Sequence, residues 1–278
     1  MSLKRAETLG ATCVALACAM LLTAWAQTDP SSPRAWNENF DFQLEIDGKL
    51  DTSARLFGTL GRASMLVASD QLKQPLVIEV GERKILRVDA AAMAAEDNRT
   101  QVLLADDRIG GPALPFTLDG DSVIFFSEGR KLKVSRKPPL LGTLTLDELL
   151  AKLPIYRSRV EEYAPAEQDT IYLKSYKHDV RVEVYFGSWC PACKQTVPGF
   201  IKSLNVAANP KLQASFIGLP VPPFTAYAPA KAKDIKSVPT FIVYVGDKEI
   251  GRINHFEEDS SVERELVKIL FAYQQDHG

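Results

Sequence analysis

Cys190 and Cys193, separated by two residues, are the side chains of this chain best suited to covalent chemistry. They stand in Trp189-Cys190-Pro191-Ala192-Cys193. A cysteine thiolate attacks a disulfide sulfur, and a second thiol one helical turn away can resolve the mixed disulfide that results. Three other chemistries compete for the pair. A zinc site needs two more ligands, to be drawn from His178, His255 and His277. Haem attachment of the c type needs histidine directly after the second cysteine, where Lys194 stands. A purely structural disulfide would close a very short loop, which constrains the unfolded chain little. The redox dithiol is the strongest of the four. It needs no cofactor beyond the Cys190–Cys193 disulfide itself, and no metal.

Such a pair needs a particular mount. The run Val180 to Phe186 reads as a strand, and Cys190 follows it closely. From Gln195 to Asn205, Val197, Phe200, Ile201 and Leu204 recur at helical spacing. Cys190 is thereby predicted at a helix N-terminus, where unpaired amide N–H groups favour thiolate over thiol. Pro191 suits the first helical turn, which needs no N–H partner. Around these lie a predicted strand at Ile171 to Lys174, hairpinned to the next, and a strand at Leu212 to Leu219. A short helix at Lys231 to Ile235, a hairpin of Phe241 to Val245 with Ile250 to Ile253, and a closing helix at Ser261 to Gln274 follow. Residues 168–278 thus read as a layered α/β domain.

The remainder is organised differently. Residues 1–26 read as an export signal: Lys4 and Arg5, an apolar stretch, then Ala24-Trp25-Ala26 as a cleavage pattern. The competing readings are an uncleaved membrane anchor and lipid attachment at Cys18. Residues 27–35 read as a flexible lead-in. Residues 36–138 read as a small antiparallel β domain, sandwich or barrel, with Phe40, Phe42, Leu44 and Ile46 alternating against polar neighbours. Residues 139–167 read as a helical connector, opened by the capping-box pattern Thr145-Leu146-Asp147-Glu148. A formal net charge of −2 without a basic stretch argues against nucleic acid as a partner.

Four features in order then resemble the thioredoxin superfamily. They are the Cys-Pro-Ala-Cys motif, Pro198 in the following helix, Ser237-Val238-Pro239-Thr240, and hairpin strands from Phe241 to Gly251. The resemblance implies that Pro239 is cis and faces the dithiol. Val238, with Thr240 beside it, would present backbone to an extended substrate, and Trp189 would cover the sulfur rim. The sequence departs from thioredoxin in carrying Val184 where that protein has a buried acid. Glu183 should point to the opposite sheet face.

The order of β domain, connector and thioredoxin-like domain is also similar to bacterial periplasmic disulfide isomerases. That similarity implies homodimerisation through the N-terminal region as a hypothesis, although residues 194–238 are too short for the helical insertion of those proteins. The expected activity is exchange of disulfides with protein substrates outside the cytoplasm, as reductase, oxidase or isomerase, together with a redox partner protein. A membrane association would require the signal to stay uncleaved. The alternative is a periplasmic assembly factor or chaperone-like binding protein that uses the dithiol as a sensor.

Overall fold

The computed structural model of the protein describes residues 29–95, 100–256 and 260–277. The expected export signal, residues 1–26, lies outside the described residues. No described helix is long and apolar enough to cross a membrane. The molecule is mixed α/β, with three sheets and six α-helices among the described residues.

The N-terminal half is antiparallel β. Its strands are β1 (Pro33–Glu38), β2 (Phe42–Ile46), β3 (Lys49–Leu50), β4 (Arg55–Gly58), β5 (Ser64–Ala68), β6 (Leu76–Glu79) and β7 (Lys84–Val88). There follow β8 (Ala94–Ala95), β9 (Gln101–Ala105), β10 (Ile109–Leu114), β11 (Phe116–Asp119), β12 (Ser122–Ser127) and β13 (Arg130–Arg136). One sheet runs β10-β7-β6-β5-β4-β1-β9-β8 and the other β11-β12-β13-β2-β3. Leu44 and Ile46 of β2 meet Phe125, Leu132 and Val134 and the inner residues Leu56, Val67 and Ile78 of the larger sheet. This arrangement is a sandwich. The opposite face of the larger sheet carries a second core of Trp36, Phe57, Leu66, Val77 and Leu104. Burying one such side chain is worth about 1.5–3 kcal/mol, and a one-residue slip would turn each to the wrong face.

Two boundaries differ from the sequence reading. The lead-in expected to run to residue 35 ends earlier, because β1 begins at Pro33 and pairs with β9, Pro33 facing Ala105. Proline at the first position of a strand sacrifices little of the ladder. The connector expected at 139–167 also supplies a strand, β14 (Gly142–Leu144), which pairs antiparallel with β16 (Leu212–Gly218). The α/β part therefore begins well before residue 168.

Helices α1 (Leu146–Lys152) and α2 (Pro154–Glu162) follow β14. Thr145 caps α1, taking the Glu148 N–H at 3.2 Å while the Glu148 carboxylate receives the Thr145 N–H at 2.9 Å. Then come α3 (Glu167–Ser175), β15 (Val180–Phe186), α4 (Pro191–Ala207), β16, α5 (Ala228–Ala232), β17 (Thr240–Val245), β18 (Lys248–Ile253) and α6 (Val262–His277). The sheet order is β14-β16-β15-β17-β18, with β15 parallel to β16 and antiparallel to β17.

Residues 171–174, expected as a strand, lie in α3. Asp169, Thr170 and Leu173 are its buried positions, a helical spacing that a four-residue apolar reading cannot show. Asp169 receives the Arg264 guanidinium of α6 at 2.8 Å, which ties the two helices. No hairpin therefore leads into β15.

Candidate dithiol site

The site is built at the end of β15. Val180, Val182, Val184 and Phe186 face the helices, while Tyr185 faces the other side of the sheet. The strand ends at Phe186, and α4 begins at Pro191 with Cys190 as its cap. Gly187 leaves room between them. A Cβ there would come within 2.6 Å of the Trp189 ring, and the Gly187 N–H donates to Cys193 Sγ at 3.4 Å. Trp189 turns its ring along the sheet end, donating from Nε1 to the Leu219 carbonyl at 3.2 Å and stacking on Phe224. Pro191 occupies the first helical position, exposed beside Ala192.

Both cysteines are free thiols in the structure and both are buried, Cys190 at 6% and Cys193 at 0% exposure. The Cys193 N–H donates to Cys190 Sγ at 3.3 Å, which makes the sulfur the N-cap acceptor of the helix. The two thiols are driven apart in acidity. Hydrogen bonding from the Cys193 thiol, then the Cys193 and Ala192 N–H groups and the Lys194 charge, outweigh desolvation and bring the Cys190 thiol down to about 6. Burial, together with donation to Cys190, pushes the Cys193 thiol well above its ordinary range.

Opposite lies the loop before β17. The Val238–Pro239 peptide bond is cis. The Val238 carbonyl accepts from Cys190 Sγ at 3.5 Å, so the backbone expected to meet a substrate lies against the outer of the two sulfurs. Pro239 is buried. Thr240 lies at the start of β17. It is 2% exposed and its hydroxyl donates to the Ser237 carbonyl at 2.8 Å, so its side chain braces the loop. Glu183 points away from the cysteines, into a cluster with Arg181, Tyr185 and Tyr244 on the other sheet face.

Three further residues reach this site from elements whose sequence carries no sign of it. Tyr156 of α2 is fully buried, and its hydroxyl has no hydrogen-bond partner among the described residues. Burial, then the two nearby cysteine sulfurs, raise its pKa well above the ordinary tyrosine value. Arg159, also on α2, donates to the Lys194 carbonyl at 3.2 Å. That carbonyl is the one Pro198 leaves without an N–H four residues on. Lys194 itself is ion-paired with Asp41, from the β-rich half. None of these contacts has a local signal, because each joins residues far apart in the chain.

Between the two halves lies a cleft of about 390 Å³, bordered by Ser188, Trp189 and Lys194 on the dithiol side. Among the described residues, no three His, Cys, Asp or Glu side chains are grouped so as to hold a metal ion.

No family model matches the chain, and no curated protein does. Among solved structures, a protein of unknown function from Pseudomonas aeruginosa is 13% identical, with a TM-score of 0.35 over 48% of this chain and 87% of its own. A mutant thioredoxin from Halobacterium salinarum is 17% identical, with a TM-score of 0.26 over 40% of this chain and 85% of its own. An HIV epitope-scaffold is 14% identical, with a TM-score of 0.33 over 48% of this chain and 87% of its own. None of these likenesses assigns the chain to a family.

Proposed function

We propose that the protein is a thiol–disulfide oxidoreductase acting on protein substrates outside the cytoplasm, through a thioredoxin-like domain that holds Cys190 and Cys193. The observation that carries the reading is the asymmetry of the pair. One sulfur caps a helix and is lowered to about 6; the other, one turn inside, is buried and raised. At neutral pH the first is a ready nucleophile and the second stays protonated until it is needed.

In the forward direction the Cys190 thiolate attacks one sulfur of a client disulfide. That S–S bond breaks, the first client sulfur leaves as thiolate and takes a proton from water, and a mixed disulfide remains. Cys193 then loses its proton and attacks the Cys190 sulfur. The mixed disulfide breaks, the second client sulfur leaves and is protonated, and Cys190–Cys193 closes as a disulfide. Two electrons have passed to the client, so a dithiol redox partner must restore the pair. Run in reverse, the same steps donate a disulfide. Val238 supports the reading, because a backbone carbonyl 3.5 Å from the sulfur can align an extended client chain.

The deciding experiment equilibrates the purified protein with glutathione buffers and follows insulin reduction. A reduction potential around −270 mV would make it a reductant, and one near −120 mV a disulfide donor. A pair that does not cycle would end the enzyme reading and leave a binding protein whose cysteine pair is structural.

A further inference from the structure

We propose that the cleft between the β-rich half and the dithiol receives an extended segment of the client polypeptide beside its reactive cysteine. It selects an apolar side chain accompanied by a carboxylate. This rests on the oxidoreductase reading and gives it a substrate preference.

Position comes first. Ser188 and Trp189 immediately precede Cys190, and Lys194 lies one helical turn beyond it; all three line the cleft. An extended chain advances about 3.3 Å per residue, so a client joined to Cys190 reaches the cleft within a few residues of its cysteine. The volume of about 390 Å³ falls in the range of built ligand sites.

Lining chemistry decides the occupant. Phe42, Leu50, Leu140, Leu153 and Ile155 present an apolar wall. Leu50 is 57% exposed, on the edge strand β3 of the smaller sheet. An edge strand offers backbone groups to which an extended chain can add. The charges are unequal. Asp41 is paired with Lys194, and Asp51 is 4% exposed and held by the Ser53 and Ser69 hydroxyls. Arg136, Lys137 and Lys152 are exposed cations on the same lining, with Arg136 over the Phe42 ring at 4.9 Å. The lining is therefore net positive and complements a carboxylate. A small acidic thiol such as glutathione would meet the cations but leave the apolar wall uncovered, so a polypeptide is the better match.

The test uses the full reduced chain and two short peptides, each with one cysteine as a mixed disulfide with an aromatic thiol. One carries Leu and Glu a few residues from the cysteine; the other carries Ser and Lys there. With the reduced chain in excess, release of the aromatic thiol in a single turnover gives the second-order rate constant, and serine-for-cysteine versions give binding by fluorescence anisotropy. The Leu/Glu peptide should be preferred on the order of tenfold, the size of one well-placed apolar contact. Lys152→Glu should shift the preference toward the lysine peptide, and Leu50→Asp should weaken it. Lys248→Glu, exposed on β18, should leave the ratio as it was. Equal turnover and equal binding of the two peptides would overturn the cleft proposal while leaving the oxidoreductase reading intact. Discriminating binding without turnover would do the reverse, and absence of both would remove both.

Discussion

Cys190 and Cys193 are the same residue type in one helical turn, yet their surroundings favour opposite protonation states. Cys190 collects N–H donors and the Lys194 charge, whereas Cys193 loses water and donates. Alkylation of Cys190 by iodoacetamide should accordingly rise through a midpoint near pH 6 and level off by neutrality. Cys193→Ala should move that midpoint upward, since the Cys193 thiol is the first cause of the lowering. An unmoved midpoint would assign the effect to the helix amides alone. Stability follows with a definite sign. Cys190 is lowered from 9.0 to about 6, so between those values the folded state is thiolate and the unfolded state binds the extra proton. Its contribution to the reduced protein is full above the unfolded value and is lost as pH falls through about 6. Cys193, raised, opposes this only at pH above its ordinary value. Urea melts of the reduced protein against Cys190→Ala should show a gap that widens from about pH 6 to about pH 9. Tyr156 gives a further residue-scale expectation. A buried hydroxyl without a partner costs about 1–3 kcal/mol, so Tyr156→Phe should stabilise the protein by an amount of that order. A loss of similar size in the same melts would mean that the hydroxyl is satisfied in solution, for instance by water.

At the scale of elements, α2 and α4 are joined by one hydrogen bond that repairs a defect. Pro198 cannot donate to the Lys194 carbonyl, and Arg159 supplies the donor. Arg159→Ala should cost on the order of 1 kcal/mol in a denaturant melt, the net worth of a part-buried hydrogen bond. Adding Pro198→Ala restores a helical N–H, so the double variant should recover part of that loss. Strict additivity of the two changes would show that they are not coupled. The element most easily misread from sequence was α3. Ile171-Tyr172-Leu173 resembles a strand because apolar runs this short fit either period, and only packing against α4 and α6 selects the helix. Strand β14 was hidden for a related reason. Three residues carry no periodic signal, and its place is set by β16 and by Gly218, where a Cβ would come within 2.3 Å of the Leu140 carbonyl.

Across the whole molecule, the β-rich half reaches the dithiol through Asp41. Its carboxylate offsets the Lys194 charge that helps lower Cys190. Asp41→Asn should therefore lower the Cys190 alkylation midpoint by roughly a few tenths of a pH unit, the scale of a partly exposed pair. A rise, or no change, would show that the pair does not bear on the sulfur. The proposed dithiol site was legible in the sequence where it is local. The cysteine spacing, the strand before it, the helix after it and the Val238-Pro239 loop are each encoded within a few residues, because capping, proline geometry and periodicity act over one turn or one hairpin. The tertiary structure alone decided which distant groups tune and flank that chemistry. Tyr156 and Arg159 of α2 and Asp41 of the β-rich half meet the dithiol helix from positions far off in the chain, and the Thr240 side chain braces its own loop. Such contacts depend on how faces pack after the chain has closed long loops, and a face's partner leaves no mark on the residues that precede and follow it.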